Sequence, residues 1–404
     1  MTLRQKYSEY VFFGSACLWS ICNGISHVIV PLYAISLGFS VLEISSIVAV
    51  PALATIAVRF VGGALSDRFG ERGVLQGCYF LMTVTALTLI GADGYASLMT
   101  VLVVANLSRS MFWISAQSMA SQLPGANVGK KLGKLSATNH FGTWLGQALG
   151  GVMAAFLGYG TSFLILLSLA LGCTLLSLGL SQTEAKPKGR TVWQITLGVG
   201  RFLRYLRTWL IITASGAAAL PMAMCSSIYP VYLADLNFGE EWIGVAVSVR
   251  FLGPIAIGLL LGVWITPVRQ RLIYGLGMVV LGFCLIASGY LERYFLLGLL
   301  IILLGAGGGI MDLLSQVQAS ALSQSRDRSM AMASTGMGWN LSAFFVPLIV
   351  GWLVEIWSFE IAFLFSGLFL VLVGASSNLL FRLCSFDQRT YTKLVGKESE
   401  TYPV

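Results

Sequence analysis

Gly63-Ala64-Leu65-Ser66-Asp67-Arg68-Phe69-Gly70-Glu71-Arg72 joins two long apolar runs, residues 42–63 and 74–92. It packs an aspartate, Arg68, Arg72 and two glycines into a short connection, with Arg59 just upstream. Runs of this length with almost no charge match what a helix needs to cross a bilayer, so the charged connection belongs at a membrane face.

The rest of the chain agrees. Of its 404 residues, 56% are apolar and only 10% charged, and the mean hydropathy is +0.82. A soluble chain of this size needs far more polar surface. Apolar segments run over 10–35, 42–63, 74–92, 96–122, 134–157 and 161–181, then over 209–234, 242–265, 272–290, 294–322, 330–354 and 360–381. These twelve stretches predict an all-α integral membrane protein with both termini on one side. The N-terminal run from Tyr10 to Ile35 lacks a small-residue cleavage site and reads as the first span, not as a removed signal.

Charge gives the orientation. With the N-terminus in the cytoplasm, 21 of the 25 lysines and arginines fall on that side, only Arg293 falls outside, and Arg59, Arg109 and Arg250 lie within spans. The outer loops carry Glu43, Asp93, Asp235, Glu240, Glu241, Glu292, Glu355 and Glu360. The net charge of +8 is therefore a topology signal and calls for no nucleic acid. Seven scattered cysteines, without a CxxC pair or a histidine cluster, support neither a disulfide framework nor a metal site. Neither a phosphate-binding lysine loop nor a nucleophile–base pair is present, so no cofactor and no enzyme chemistry are expected.

Four regions are expected: a six-span bundle over 1–181, a cytoplasmic linker over 182–208, a second six-span bundle over 209–381 and a cytoplasmic tail over 382–404. The linker contains Lys186-Pro187-Lys188-Gly189-Arg190, and Trp193–Leu206 reads either as an amphipathic helix on the inner leaflet or as a solvated loop. The bundles look duplicated. At an offset of 199, Pro31-Leu32-Tyr33 falls on Pro230-Val231-Tyr232, Phe39 on Phe238, Ile44 on Ile243, and Gln117, Ala120, Ser121 and Leu123 on Gln316, Ala319, Ser320 and Leu322. At 200, Gly151 falls on Gly351. A near-constant offset across separate spans points to a repeated unit.

Six plus six spans, a basic central linker and the opening connection resemble the major facilitator superfamily over essentially the whole chain. The connection is similar to that family's G-x-L-x-D-R-x-G-x-R motif between spans 2 and 3, matched at Gly63, Leu65, Asp67, Arg68, Gly70 and Arg72. The resemblance implies a secondary transporter, a monomer in a bacterial-type inner membrane, whose partners are lipids, a small-molecule substrate and a coupling ion, with a proton expected. A gate role fits the residues. Gly63 permits close helix approach, Asp67 can accept from a helix N-terminus, and Arg68 and Arg72 can hold Asp67 or lipid phosphates. Service to topology alone is the other reading of Arg72. The counterpart Gly262-Val263-Trp264-Ile265-Thr266-Pro267 has no acid, so a charge latch would be one-sided.

Span 5 carries Gly142-Thr143-Trp144-Leu145-Gly146-Gln147-Ala148-Leu149-Gly150-Gly151, which resembles the family's antiporter motif G-x-x-x-G-P-x-x-G-G. Gly142, Gly146, Gly150 and Gly151 match, and Gln147 replaces the proline. Small-residue helix packing explains the same glycines. Export comes from the resemblance only.

Ionisable residues at mid-depth are functional candidates by default. Arg109 sits in span 4, Arg250 in span 8 and Asp312 in span 10. Two readings stay open for the last two: a structural Arg250–Asp312 pair, or a proton site at Asp312. Arg109 has no carboxylate partner in its own half, which points it toward a central site. Asn23 and His27 share a face of span 1, and Gln117, Gln316 and Asn340 are further polar candidates. The expected function is proton-coupled export of a drug, siderophore or metabolite, with two arginines against one acid favouring an anionic one. Uptake of a small organic anion by symport or facilitated diffusion is the alternative, and a non-transporting sensor or scaffold is a third.

Overall fold

The computed structural model describes residues 3–123, 128–180, 206–260, 269–322, 328–377 and 379–382. The regular structure among them is helical. In chain order the first half holds α1 (Leu3–Ser36), α2 (Val41–Ile90), α3 (Tyr95–Gln122) and α4 (Val128–Ser177). The second half holds α5 (Leu206–Ser226), α6 (Ile228–Asp235), α7 (Glu240–Ser248) and α8 (Leu252–Leu260). It ends with α9 (Gln270–Ser288), α10 (Tyr294–Leu322), α11 (Arg328–Ile356) and α12 (Phe359–Ala375). A 3-10 turn, Val249–Phe251, separates α7 from α8.

α2 and α4 are 50 residues each. At about 1.5 Å per residue, either would span more than twice a bilayer core if straight. Each instead breaks at a glycine: Gly70 at φ 74°, ψ 157°, and Gly158 at φ 73°, ψ 166°. Residues with a Cβ rarely adopt these angles. A Cβ at either position would meet no atom within 4 Å, so conformation and not crowding requires glycine. The helix thus runs through most of the Gly63–Arg72 connection and turns at Gly70, which corrects the expectation of an apolar run ending at 63.

Eight helical segments among the described residues are long and apolar enough to cross a membrane, and Val41–Leu53 and Phe359–Ala375 are shorter apolar helices. The twelve expected spans are not all recovered by that measure, for identifiable reasons. Lys134–Ser177 is counted as a single 44-residue segment although it breaks at Gly158. Span 8 is interrupted by the 3-10 turn, and α12 ends at Ala375.

Prolines place the interruptions in the second half. Proline lacks the N–H that would bond the carbonyl four residues back, and its ring crowds that carbonyl. Pro254 does this to Arg250, inside the 3-10 turn, and Pro230 does it to Ser226, beside the break at Ser227. Pro31 stands in the same relation to His27, within a continuous α1.

α1 packs along α4, and α2 along α3. Span 5 glycines make the first contact close: a Cβ at Gly142 would lie 2.7 Å from the Cys17 carbonyl oxygen, and one at Gly146 would lie 3.0 Å from Ile21 Cα. In the second half α5 packs on α11 and α9 on α12. The repeat shows in the packing. Tyr33 meets Tyr159 at 5.1 Å and Phe163 edge-on at 5.1 Å. Its counterpart Tyr232 meets Phe359 at 5.0 Å and Phe363 edge-on at 5.2 Å. These aromatic clusters lie at the end of the molecule that carries the acidic loops.

Candidate functional site: a central cavity and two seams

Where α1, α2 and α3 meet α5 and α11, a cavity of about 50 Å³ lies between the halves. Its polar lining comes from His27, Asn106, Arg109, Ser226 and Asn340, with Ser26, Thr55 and Trp339 beside them. His27 and Ser226 are repeat equivalents, each four residues before a repeat proline, so both carbonyls lose their helical donor next to the cavity. Helix irregularity at membrane depth is tolerated where it faces a cavity.

Arg109 and His27 form the centre of this site, with Nη1 2.9 Å from His27 Nε2. Arginine has only donors, so His27 Nε2 accepts and its ring carries no proton there. Packing fixes the pair. Trp19 on α1 stacks on Phe112 of α3 at 3.8 Å and donates from Nε1 to Ser108 Oγ at 3.3 Å. Ser108 in turn donates to the Cys78 carbonyl at 2.8 Å. α1 and α3 are thereby locked one position away from Arg109.

The sequence candidates divide. His27, Arg109 and Asn340 line the cavity together. Asn23, Gln117, Arg250, Asp312 and Gln316 do not, and Gln117 and Gln316 are exposed. The Arg250–Asp312 pair does not form: Gln316 Nε2 donates to Asp312 Oδ2 at 3.0 Å, while the Arg250 guanidinium lies over the Phe251 ring at 4.0 Å. Asn106, Ser226 and Thr55 were not singled out from sequence. The first two could have been found from their neighbours, Arg109 and the repeat proline.

In the opening connection, the side chains at Gly63, Leu65, Asp67 and Arg68 lie outside the described residues, as do the linker, residues 261–268 and nearly all of the tail. Arg72 is described: its Nη2 donates to the Leu178 carbonyl at 3.2 Å, next to Gln76 on the Ser177 carbonyl at 3.1 Å. Both cap the carbonyl-rich end of α4, where a cation is favoured. Glu71 is buried and accepts from Ser118 Oγ at 2.8 Å.

Two seams join the halves, α2 against α11 and α4 against α7. In the second, a Cβ on Gly151 would lie 2.7 Å from Gly244 Cα, so backbone meets backbone. In the first, a Cβ on Gly351 would lie 2.7 Å from Ser45 Cβ. Tyr159 also donates across the halves to Glu240. These contacts sit at the acidic end, which is closed.

The match to known proteins agrees with this architecture. The profile described as Major Facilitator Superfamily matches residues 11–242 and again 211–400. With its helical halves joined around a polar cavity, the chain belongs to the Major Facilitator Superfamily. Among similar proteins, a multi-drug resistance efflux pump PmrA homolog of Lactococcus lactis subsp. lactis is 31% identical over 37% of this chain and 38% of its own length. An uncharacterized MFS-type transporter of Schizosaccharomyces pombe is 33% identical over 32% of this chain and 30% of its own. The chain thus spans well under half the length of these two relatives. The MFS-type transporter SLC18B1 of Mus musculus is 23% identical over 81% of this chain and 71% of its own. Among solved structures, the nucleoside transporter NupG aligns with a TM-score of 0.78 at 12% identity, covering 94% of this chain and 99% of that one. A bacterial homolog to the human lysosomal transporter Spinster, inward-facing and unoccupied, aligns at 0.75 and 12% identity, covering 96% and 98%. At such identity these two speak for the fold alone.

Proposed function

We propose that the protein is a proton-coupled exporter of a small organic molecule, working by alternating access of two six-helix bundles, with twelve spans and both termini in the cytoplasm. The observation that carries the reading is the Arg109–His27 pair in a cavity between the halves. His27 Nε2 accepts from an arginine that never gives up its charge, so protonating that nitrogen breaks the contact and sets two cations against each other. A proton arriving at His27 thus ends its contact with Arg109, and an anionic substrate group that pairs with Arg109 favours the opposite state. That exchange of partners couples proton and substrate. The similarity to an efflux pump homolog supports export. Uptake of an organic anion uses the same cycle in reverse, and gradients decide the direction. The small cavity means that cargo enters only when the halves part.

In this reading Asp67 and Arg68 act at the gate on the basic face, and Asp67→Asn slows the cycle without weakening substrate binding. The full chain in proteoliposomes loaded with a pH-sensitive dye tests the coupling. A transported compound should move protons in wild type. In His27→Gln, which keeps an acceptor but does not titrate, substrate exchange should persist while proton movement is lost. Normal proton movement in His27→Gln removes His27 from the mechanism, and loss of exchange in Asp67→Asn at unchanged affinity supports the gate.

A further inference from the structure

Arg250 is a buried cation with one edge that no described residue satisfies. It is 7% exposed, and its Nε and Nη2 have no hydrogen-bond partner. Among the described residues no carboxylate comes within ion-pairing distance of it, and the nearest candidate in sequence logic, Asp312, is held by Gln316. A buried charge left uncompensated is among the most destabilising features a fold can carry. Such a residue is retained for a ligand or for another state.

The orphaned atoms say which ligand. Nε and Nη2 are neighbours on one edge of the guanidinium, and together they form the fork that takes two oxygens of a carboxylate or phosphate side by side. The fork is also held in place. Pro254 forces the 3-10 turn that carries Arg250, a Cβ on Gly305 would lie 3.2 Å from Arg250 Cα, and Phe251 supports the guanidinium plane. The Phe251 ring in turn lies 5.8 Å from the His140 ring of α4, in the opposite half. Gln147, also on α4, is fully buried with both amide atoms unpartnered, a further unmet polar side chain on the helix that this turn touches. His27 of the cavity lies within electrostatic range of Arg250, and so does Cys225, next to the cavity-lining Ser226.

We infer that the Nε–Nη2 edge of Arg250, at the seam between α4 and α7, receives the carboxylate of a transported organic anion, as a recognition point separate from the Arg109–His27 pair. The inference rests on the transporter reading above and adds the substrate class to it. The carboxylate could instead be this chain's own Asp312, swung onto Arg250 in another state, and the test separates the two sources.

The test uses the purified full chain and its tryptophan fluorescence, with Trp339 at the cavity as reporter, titrated with benzoate and with its neutral isostere benzamide. Wild type should prefer benzoate by roughly tenfold or more, the range expected for hydrogen bonds to a charged group. Arg250→Lys keeps the charge and loses the fork, so the preference should fall severalfold, and Arg250→Gln should abolish it. Asp312→Asn should leave it unchanged. A preference that survives Arg250→Gln, or that vanishes only in Arg109→Gln, overturns the inference while an anionic substrate at Arg109 stands. A tenfold gain in benzoate affinity in Asp312→Asn also overturns it, because Asp312 would then be the occupant. Equal binding of both probes to wild type, or none, overturns both the inference and the anionic reading. Should Arg250→Gln fail to fold, Arg250→Lys alone decides.

Discussion

The α2–α11 seam and the α4–α7 seam occupy equivalent places in the repeat. Ser45 corresponds to Gly244 at an offset of 199, and Gly351 to Gly151 at 200. Both seams close the acidic end by bringing a small residue of one half against a small residue of the other. Deeper in, they part. Pro51 stands at the place equivalent to Arg250, and Pro347 at the place equivalent to Gln147. The first seam carries proline where the second carries a buried guanidinium and a buried amide with unmet donors. At these matched positions the first seam has glycine, proline and the Ser45 hydroxyl, and the second adds a guanidinium and an amide to the same contact. The same close contact occurs twice, and the two copies carry different residues deeper in.

The largest expected effect tests that asymmetry. Arg250→Met removes a buried, uncompensated charge at similar volume and should raise stability by about 1–4 kcal/mol while transport is lost. Thermal unfolding of the detergent-solubilised chain measures it, and a fall in stability would mean that Arg250 has a structural partner. Next comes Gly151→Leu. With backbone on the far side and no side chain able to yield, overpacking should cost the closed seam about 1–3 kcal/mol, or roughly 5- to 150-fold in the closed population. Spin labels at Asp93 and Glu292 should then report longer distances. Gly351→Leu meets the Ser45 side chain, which can rotate away, so its shift should fall at the low end, about 1 kcal/mol. Equal shifts for the two leucine variants would erase the difference between the seams. Smallest is Tyr159→Phe, which deletes the bond to Glu240 across the halves and should cost about 0.5–1.5 kcal/mol of closure by the same distance measurement.

Much of the fold was legible because membrane crossing imposes length and apolarity on each span, and the repeat leaves matched residues at a fixed offset. The Gly63–Arg72 connection placed a turn correctly, although α2 runs on to Gly70 before it breaks. Of the site, Arg109 stood out as an ionisable residue at mid-depth, an energetic signal carried by residue type, and His27 and Asn340 stood out as polar side chains within spans. Their partnership was not readable, since 82 positions separate His27 from Arg109 and only the crossing of α1 with α3 joins them. The Arg250–Asp312 pair failed for the complementary reason. Residue types and shared half made it plausible, but Asp312 finds an acceptor role one turn away at Gln316.

By itself, the sequence determined that the chain is a helical membrane protein with an internal repeat and where its chain turns, because bilayer solvation and backbone sterics act residue by residue. The tertiary structure alone decided which buried charge is paired and which is not. Pairing depends on where distant helices cross, and a side chain's reach of a few ångströms cannot be read from its position in the chain.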